Sequence, residues 1–426
     1  MTIEDFFAGN PQPRLTRSVP GRLDVMGGMA AYSGSLVLQM PVRKSITVAL
    51  ALRNDTMIRI HTQPSDGNKP FEIVAFQLPK SGSLTGGDAL VSVILACLLV
   101  WQERAGQLTG MDIWVHSQIP AGKGLASAAA LTVAMMQTLA DAHPLSLTGH
   151  ELARLALRAE KLVASGSLAA QLTCVYGVPD RLLPILCQPD HASEPFALPE
   201  GVRFAGIDSG ICSAEQETAY QRVCTAAMIG YTLMALHDGT YPHELELARQ
   251  TGDREHLLYN GYLANITPLE FEDRYKWLPN QIKGSDFLEK YGIIIDPDLE
   301  IEPDNWYPVA AATRHPVYEN VRIQYFSLLL QHLPPVSDPE RREKSLRQLG
   351  SWMYQSHESY SACGLGHPQT DVLVQQVRNE AGNGVYGARI TDKGSGGTVC
   401  ILYEGEQGWE TVQRIHAAYE RLSSNS

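Results

Sequence analysis

A chain of 426 residues is long for one domain and comfortable for two closely packed ones. Its 44% hydrophobic content supports a large core, and a net charge of −12 argues against nucleic acid or an anionic membrane as partner. The first ten residues contain no cleavable apolar run, no apolar stretch reaches the roughly 18 residues of a membrane span, and the seven cysteines form no C-x-x-C pair, so the sequence reads as a cytoplasmic protein with reduced thiols and no zinc site.

Residues 1 to about 115 read as strand-rich. Segments 22–25, 35–40, 46–52 and 57–61 carry β-branched or alternating apolar residues, punctuated by Gly27-Gly28 and Ser33-Gly34. The apolar run 89–101 reads as a buried helix, and 112–116 as a short strand ending at a glycine loop. Helices follow over about 126–142, 148–165 and 168–176, the second opened by a Thr148/Glu151 capping box. Residues 204–208 read as a strand and 216–237 as a long helix. From 238 to about 320 the chain is at its most polar and least regular, as expected of an insertion or connection. Helices over about 318–332, 340–358, 370–381 and 408–422 follow, with strands at 387–390 and 398–403. The pattern is α+β with two lobes.

One segment carries the clearest chemistry: Ile119-Pro120-Ala121-Gly122-Lys123-Gly124-Leu125-Ala126-Ser127, at the mouth of an alanine-rich run. Glycines let a backbone turn sharply and approach a ligand, and the helix that follows aims its free N–H groups and positive dipole end at the loop. That is the construction of a phosphate cradle. A hydroxyl beside the phosphates usually helps to hold Mg²⁺, and Ser127, which fills that place, stands between two alanines.

Three motifs in order resemble the GHMP kinases, the superfamily of galactokinase, homoserine kinase, mevalonate kinase and phosphomevalonate kinase. Pro20-Gly21-Arg22-Leu23-Asp24-Val25-Met26-Gly27-Gly28, continuing through Ala31, Tyr32 and Gly34, is similar to their first motif. The loop at 120–130 is similar to the second. Arg389-Ile390-Thr391-Asp392-Lys393-Gly394-Ser395-Gly396-Gly397-Thr398 is similar to the third. Within the superfamily, 14–405 most resembles the kinase domain of plant-type L-arabinokinases, in Ile207-Asp208-Ser209-Gly210-Ile211, in His315-Pro316-Val317-Tyr318-Glu319-Asn320, and in Ser359-Tyr360-Ser361-Ala362-Cys363-Gly364.

The resemblance implies an α+β, two-domain GHMP kinase fold. A ribosomal-S5-like N-terminal domain is expected over 1–205 and a ferredoxin-like C-terminal domain over 206–426, the latter with a polar insertion at about 238–315 and the active site between the two. It also implies an ATP-type nucleotide with Mg²⁺, no other cofactor, and a monosaccharide or sugar phosphate as partner. Gly122, Lys123, Gly124, Leu125 and Ser127 would bind nucleotide, with Ser127 as the metal ligand. Asp24, Tyr32, Asp208 and Tyr220 would bind sugar, Gly394, Ser395, Gly396 and Gly397 would form motif three, and Arg22 would orient a phosphate or hydroxyl. Bland alternatives stand beside these: a structural ion pair for Arg22, a solvated Lys123, an ordinary helix-face Tyr220.

The departures from the family pattern fall on the chemistry. Ala170 occupies the position of the catalytic aspartate, beside Gln171. Ala128 stands at the metal-binding serine, Ala31 at a sugar-binding aspartate, and Asp392 and Lys393 at two glycines. Losing one transition-state contact typically costs about 10²–10³ in rate, so losses in three roles imply weak or absent phosphotransfer. Three readings result. One is a pseudokinase that binds ligand or a protein partner. The second is an active sugar 1-kinase with a substitute carboxylate such as Asp180 or Asp208. The third is a repurposed enzyme using His315, Glu319, His357 or Cys363.

Overall fold

The computed structural model describes residues 2–65, 74–76, 89–106, 108–143, 145–212 and 216–423. The chain divides into two compact units. The first comprises Met1–Leu23 and Met40–Leu183, the second Asp24–Gln39 and Pro184–Ser426. Among the described residues no helix is long and apolar enough to cross a membrane.

The first unit opens with α1 (Ile3–Phe7) and the long strands β1 (Leu15–Met26) and β2 (Leu36–Leu52), which continue past its limits. Then come β3 (Ile58–Gln63), β4 (Val74–Phe76), α2 (Ala89–Ala105), β5 (Met111–Ser117), α3 (Ser127–Ala142), α4 (Gly149–Lys161) and α5 (Leu168–Tyr176), and finally β6 (Arg181–Leu186), which runs on beyond the unit. Strand β5 is antiparallel to β2, with Leu50 opposite Ile113, and parallel to β3, with Ile60 opposite Ile113. Alternate residues of these strands meet α2–α5 in one apolar cluster that includes Ile46, Val48, Leu50, Trp101, Val115 and Leu139. Helix α2, the longest apolar run in the sequence, is buried along most of its length. Helix α4 starts with the expected capping box: Thr148 accepts from the Glu151 N–H and Glu151 from the Thr148 N–H.

The second unit begins with short strands β7 (His191–Ala192) and β8 (Phe196–Ala197), then β9 (Val202–Asp208) and α6 (Gln216–His237). It continues through α7 (Pro242–Thr251), α8 (Pro268–Arg274), β10 (Ile282–Lys283), α9 (Gly284–Lys290), β11 (Trp306–Tyr307), α10 (Val309–Gln331), α11 (Pro339–Ala362), α12 (Pro368–Asn379), β12 (Val385–Ile390), β13 (Thr398–Glu404) and α13 (Gly405–Ser423). An antiparallel sheet of order β12-β13-β9 packs on α12 and α13 through Leu373, Val377, Val412 and Ile415. Helix α11 crosses β12 where Gly350 meets Gly387; a Cβ on Gly350 would stand 1.8 Å from the Tyr386 carbonyl oxygen.

The stretch expected to be irregular, from 238 to 320, is instead folded. It forms α7, α8, α9 and the first half of α10, and Leu245, Leu263, Phe271, Tyr275, Phe287 and Tyr307 bury themselves in one cluster with α6. The long helix expected from 318 starts at Val309 and passes through Pro316. Proline has no N–H to give the carbonyl four residues back. That carbonyl, of Ala312, accepts from the Tyr32 hydroxyl at 3.1 Å instead.

Candidate functional site

In the first unit the glycine loop takes the backbone form its sequence demands. Gly122 and Gly124 have φ of 69° and 72°, a region open to glycine at little cost. Ala126 follows at φ 58° as the N-cap of α3, and no side chain caps the helix, so its first N–H groups remain facing the loop. Lys123 and Ser127 are half-buried, Ser127 being the first residue of α3. Arg22, 5% exposed, supports the loop from behind. Its backbone N–H donates to the Leu125 carbonyl at 3.0 Å and its Nη1 to the Gly124 carbonyl at 3.1 Å. Gly21 must lack a side chain here, since a Cβ would stand 2.5 Å from the Leu125 oxygen.

Ala170 lies on α5, 7% exposed, within the apolar cluster of this unit. Its neighbour Gln171 is fully buried and donates Nε2 to Glu160 of α4. Cys174, one turn on, donates to the Pro20 carbonyl at 3.4 Å. Burial pushes the Cys174 thiol up to about 12, with the Arg22 charge pulling it down and the Glu160 charge pushing it up. Glu160 is a residue the sequence reading missed. Its signal was present, because it falls in the apolar stripe Leu152, Ala153, Leu155, Ala156, Ala159 of α4, where a carboxylate is out of place.

Mg²⁺ usually keeps several waters and takes one or two protein oxygens plus substrate phosphates. The hydroxyl of Ser127, at the first helical position, has the right chemistry for that part. Among the described residues no group of three or more His, Cys, Asp or Glu forms a dedicated metal cage.

The second unit gathers motifs one and three around Asp24. Asp24 is fully buried. Its Oδ1 accepts from the Gly28 N–H at 3.0 Å, and its Oδ2 from Arg389 Nη1 at 2.9 Å and the Asp392 N–H at 3.3 Å. The Tyr360 hydroxyl makes a second tie, accepting from the Met29 N–H at 2.7 Å and donating to the Asp392 carbonyl at 2.9 Å. Gly28, at φ 43°, leaves room for that hydroxyl; a Cβ would stand 1.9 Å from it.

The remaining expected residues join the same loop. Asp208 ends β9 and accepts from the Gly210 N–H at 2.8 Å, while the Ser209 N–H donates to Gly397 and the Gly397 N–H to Ile211. Gly394 accepts from Gln216 Nε2 at 2.5 Å, and Ser395 donates its N–H to Leu365 at 2.7 Å. Tyr220 lies under Lys393, whose ammonium is 5.6 Å from the ring centroid and 2.6 Å from Glu217. Burial raises the Tyr220 hydroxyl well above its ordinary pKa, so it acts as a neutral donor. Asp392 and Ser395, the non-glycine residues here, both hold φ of 55°.

His315, Glu319 and His357 belong to a buried network behind this loop. Arg389 Nε donates to Ser356 Oγ at 3.0 Å, Ser356 donates to Glu319 at 2.6 Å, and Glu319 also pairs with Arg322. His357 Nδ1 accepts from the Ile390 N–H at 3.3 Å, which puts its proton on Nε2 facing Asp371 at 3.0 Å. His315 Nδ1 meets Ser359 Oγ at 2.7 Å. Cys363 is buried against the Ala311 carbonyl, and burial pushes its thiol up to about 12, leaving no reactive thiolate.

Burial also pushes His315 down to about 4, against an unfolded value near 6.5. Between those values the unfolded chain binds more protons than the folded one, so stability is fully present above pH 6.5 and lost as pH falls to about 4. A loss of up to about 3 kcal/mol is expected across that window. Urea unfolding at stepped pH checks it: His315→Gln should flatten this part of the profile, and an unchanged slope would exclude His315 as its source.

The GHMP kinases N terminal domain family matches residues 92–178. The L-arabinokinase of Arabidopsis thaliana is 32% identical over 463 residues, covering 94% of this chain, which spans only 44% of that protein's length. A galactokinase of Chloroflexus aggregans is 25% identical, covering 98% of this chain and 90% of its own. Among solved structures, Lactococcus lactis galactokinase complexed with galactose superposes with a TM-score of 0.72 at 18% identity, covering 99% of this chain and 93% of that one.

Proposed function

This chain belongs to the GHMP kinase superfamily, on the arabinokinase–galactokinase side, and on that premise we propose that it binds an ATP-type nucleotide with Mg²⁺ and a monosaccharide but transfers phosphate weakly or not at all. The glycine loop would cradle the phosphates on the uncapped end of α3, with Arg22 fixing its shape and Lys123 and Ser127 supplying charge and a hydroxyl. In the second unit the loop 389–398, with Tyr220 and Asp208, would meet the sugar. Asp24 would hold that loop in place rather than touch the ligand, since its two carboxylate oxygens already accept three hydrogen bonds.

The observation that carries the reading is position 170. An alanine buried in an apolar cluster neither accepts a proton nor orients a hydroxyl, and bound substrates are not brought closer to a transition state by binding alone. Calorimetry with ATP, and mass spectrometry of products from a panel of pentoses and hexoses, tests it. Saturable ATP binding, about tenfold weaker in Lys123→Ala, with no sugar phosphate formed, is the expected result. Steady conversion of any sugar overturns the catalytic part, and absence of nucleotide binding overturns the whole.

One observation favours a second reading, an active sugar 1-kinase. Glu160 is a buried carboxylate that accepts from Gln171, the residue beside Ala170, and it would replace the missing aspartate as base. If product does form, Glu160→Gln should abolish it while leaving ATP affinity unchanged.

A further inference from the structure

We propose that the second unit carries a separate binding pocket for a phosphorylated monosaccharide, built on one side of α10. The pocket has a volume of about 450 Å³, within the usual range for small-molecule sites. Arg314, Tyr318 and Arg322 line it from α10 at i, i+4 and i+8 spacing, the row that faces one direction on a helix. Tyr275 and Lys276, in the turn after α8, and Ser359 of α11 also line it.

The wall carries unspent donors. Arg314 lies 4.9 Å from the Tyr318 ring centroid, and its Nη2 donates to Glu272 at 2.5 Å and to the Tyr318 hydroxyl at 3.3 Å. Its Nε and Nη1 bond no described residue. Glu272, the carboxylate on this wall, also accepts from the Tyr318 hydroxyl at 2.7 Å. Arg322 is neutralised by Glu319, and Lys276 is exposed with no carboxylate partner among the described residues. The two arginine–glutamate pairs cancel and Lys276 leaves one net positive charge, in a chain whose formal net charge is −12.

A sugar's hydroxyls donate hydrogen bonds as well as accept them, and Glu272, whose two bonds both fall on Oε1, keeps its Oε2 to accept, as does the amide oxygen of Asn280. A phosphate only accepts; it suits the open N–H groups of Arg314 and the ammonium of Lys276. The half-buried Tyr318 ring then offers an apolar face to the C–H side of a sugar ring. None of these residues belongs to the glycine loop or to the loop 389–398, so this pocket is additional to the site of the proposed kinase-type binding.

Calorimetry on the full chain tests the proposal, with a hexose monophosphate, the free hexose and inorganic phosphate as separate probes. Saturable binding of the hexose monophosphate is expected, at least about tenfold tighter than either other probe. Lys276→Glu and Arg314→Gln should each weaken it about tenfold or more. Lys276 is exposed and has no carboxylate partner among the described residues, so its reversal alters charge with the fold intact. Lys123→Ala, in the glycine loop, should leave this binding unchanged. The proposal is overturned if no saturable binding occurs, if neither pocket variant weakens it, if Lys123→Ala alone removes it, or if free hexose or inorganic phosphate binds as tightly. Loss of ATP binding with this binding retained would sink the nucleotide reading alone.

Discussion

Arg389→Met is expected to destabilise the protein by about 3–5 kcal/mol, the usual cost of removing one partner from a buried ion pair. Arg389 and Asp24 are both fully buried and 2.9 Å apart. Burial alone would pull the guanidinium's pKa down, but Tyr360, Asp24 and Glu319 together push it above its ordinary value, so it stays charged. Its Nη1 also donates to the Val25 carbonyl at 3.2 Å, its Nε to Ser356, and its plane lies 5.1 Å from the Tyr360 ring centroid. Methionine fills much of the volume but leaves Asp24 charged with only the N–H groups of Gly28 and Asp392, and Glu319 with one cation fewer. The double variant Arg389→Met/Asp24→Asn removes the stranded charge and should recover about 1–2 kcal/mol of the loss. Denaturant unfolding of the four proteins in this cycle measures the coupling. A loss below about 1 kcal/mol for Arg389→Met would mean that the pair does not hold motif one to motif three.

Most of the secondary structure was legible because the period of apolar residues is unambiguous in long elements. The helices at 168–176 and 216–237 fall where the pattern puts them, and the strands at 112–116 and 398–403 extend by only one residue at an end. The stretch 238–320 was not legible, because its apolar residues come singly among charged ones in helices of seven to ten residues. Only tertiary packing gathers Leu245, Phe271 and Phe287 into one cluster. The true start of α10 was hidden in a similar way: a proline argues against a helix interior, and nothing in the local sequence announces that Tyr32, 280 residues before Ala312, will satisfy the exposed carbonyl.

Of the candidate site, the backbone parts were legible and the side-chain partnerships were not. Glycine spacing marks Gly122, Gly124 and Gly394–Gly397 as turns, and each position has positive φ, Ser395 included although it is not glycine. That Asp24 spends its oxygens on Gly28, Arg389 and Asp392 depends on residues up to 368 positions apart. Sequence order carries no trace of that pairing. The apolar stripe of α4 did carry a trace of Glu160, as one acidic residue in a buried period.

Ala170→Asp combined with Ala128→Ser is expected to raise phosphotransfer from ATP to a pentose or hexose by at least about 10²-fold over the unmodified chain, since a positioned base typically contributes about 10²–10⁴. Ala128 lies in the first turn of α3 beside Ser127, where a second hydroxyl adds an oxygen for Mg²⁺. Ala170 stands one helical turn before Cys174, which donates to the Pro20 carbonyl two residues ahead of Arg22. The opposing terms are the cost of burying a charge in an apolar cluster and the neighbouring Glu160, which pairs with Gln171, and together they are expected to lower stability by about 3–5 kcal/mol. Ala170→Asn with Ala128→Ser separates shape from charge: it places a side chain of the same size at 170 without a proton acceptor, and should show no gain. The two effects act as a unit, so neither single substitution should give the full increase. Product is followed by mass spectrometry and ATP affinity by calorimetry on the same preparations. If the Asp/Ser variant folds and binds ATP as the unmodified chain does, yet makes no sugar phosphate, then the missing side chains at 128 and 170 are not what halts transfer. The next positions to test would then be Asp392 and Lys393, which the resemblance sets where the family has glycines.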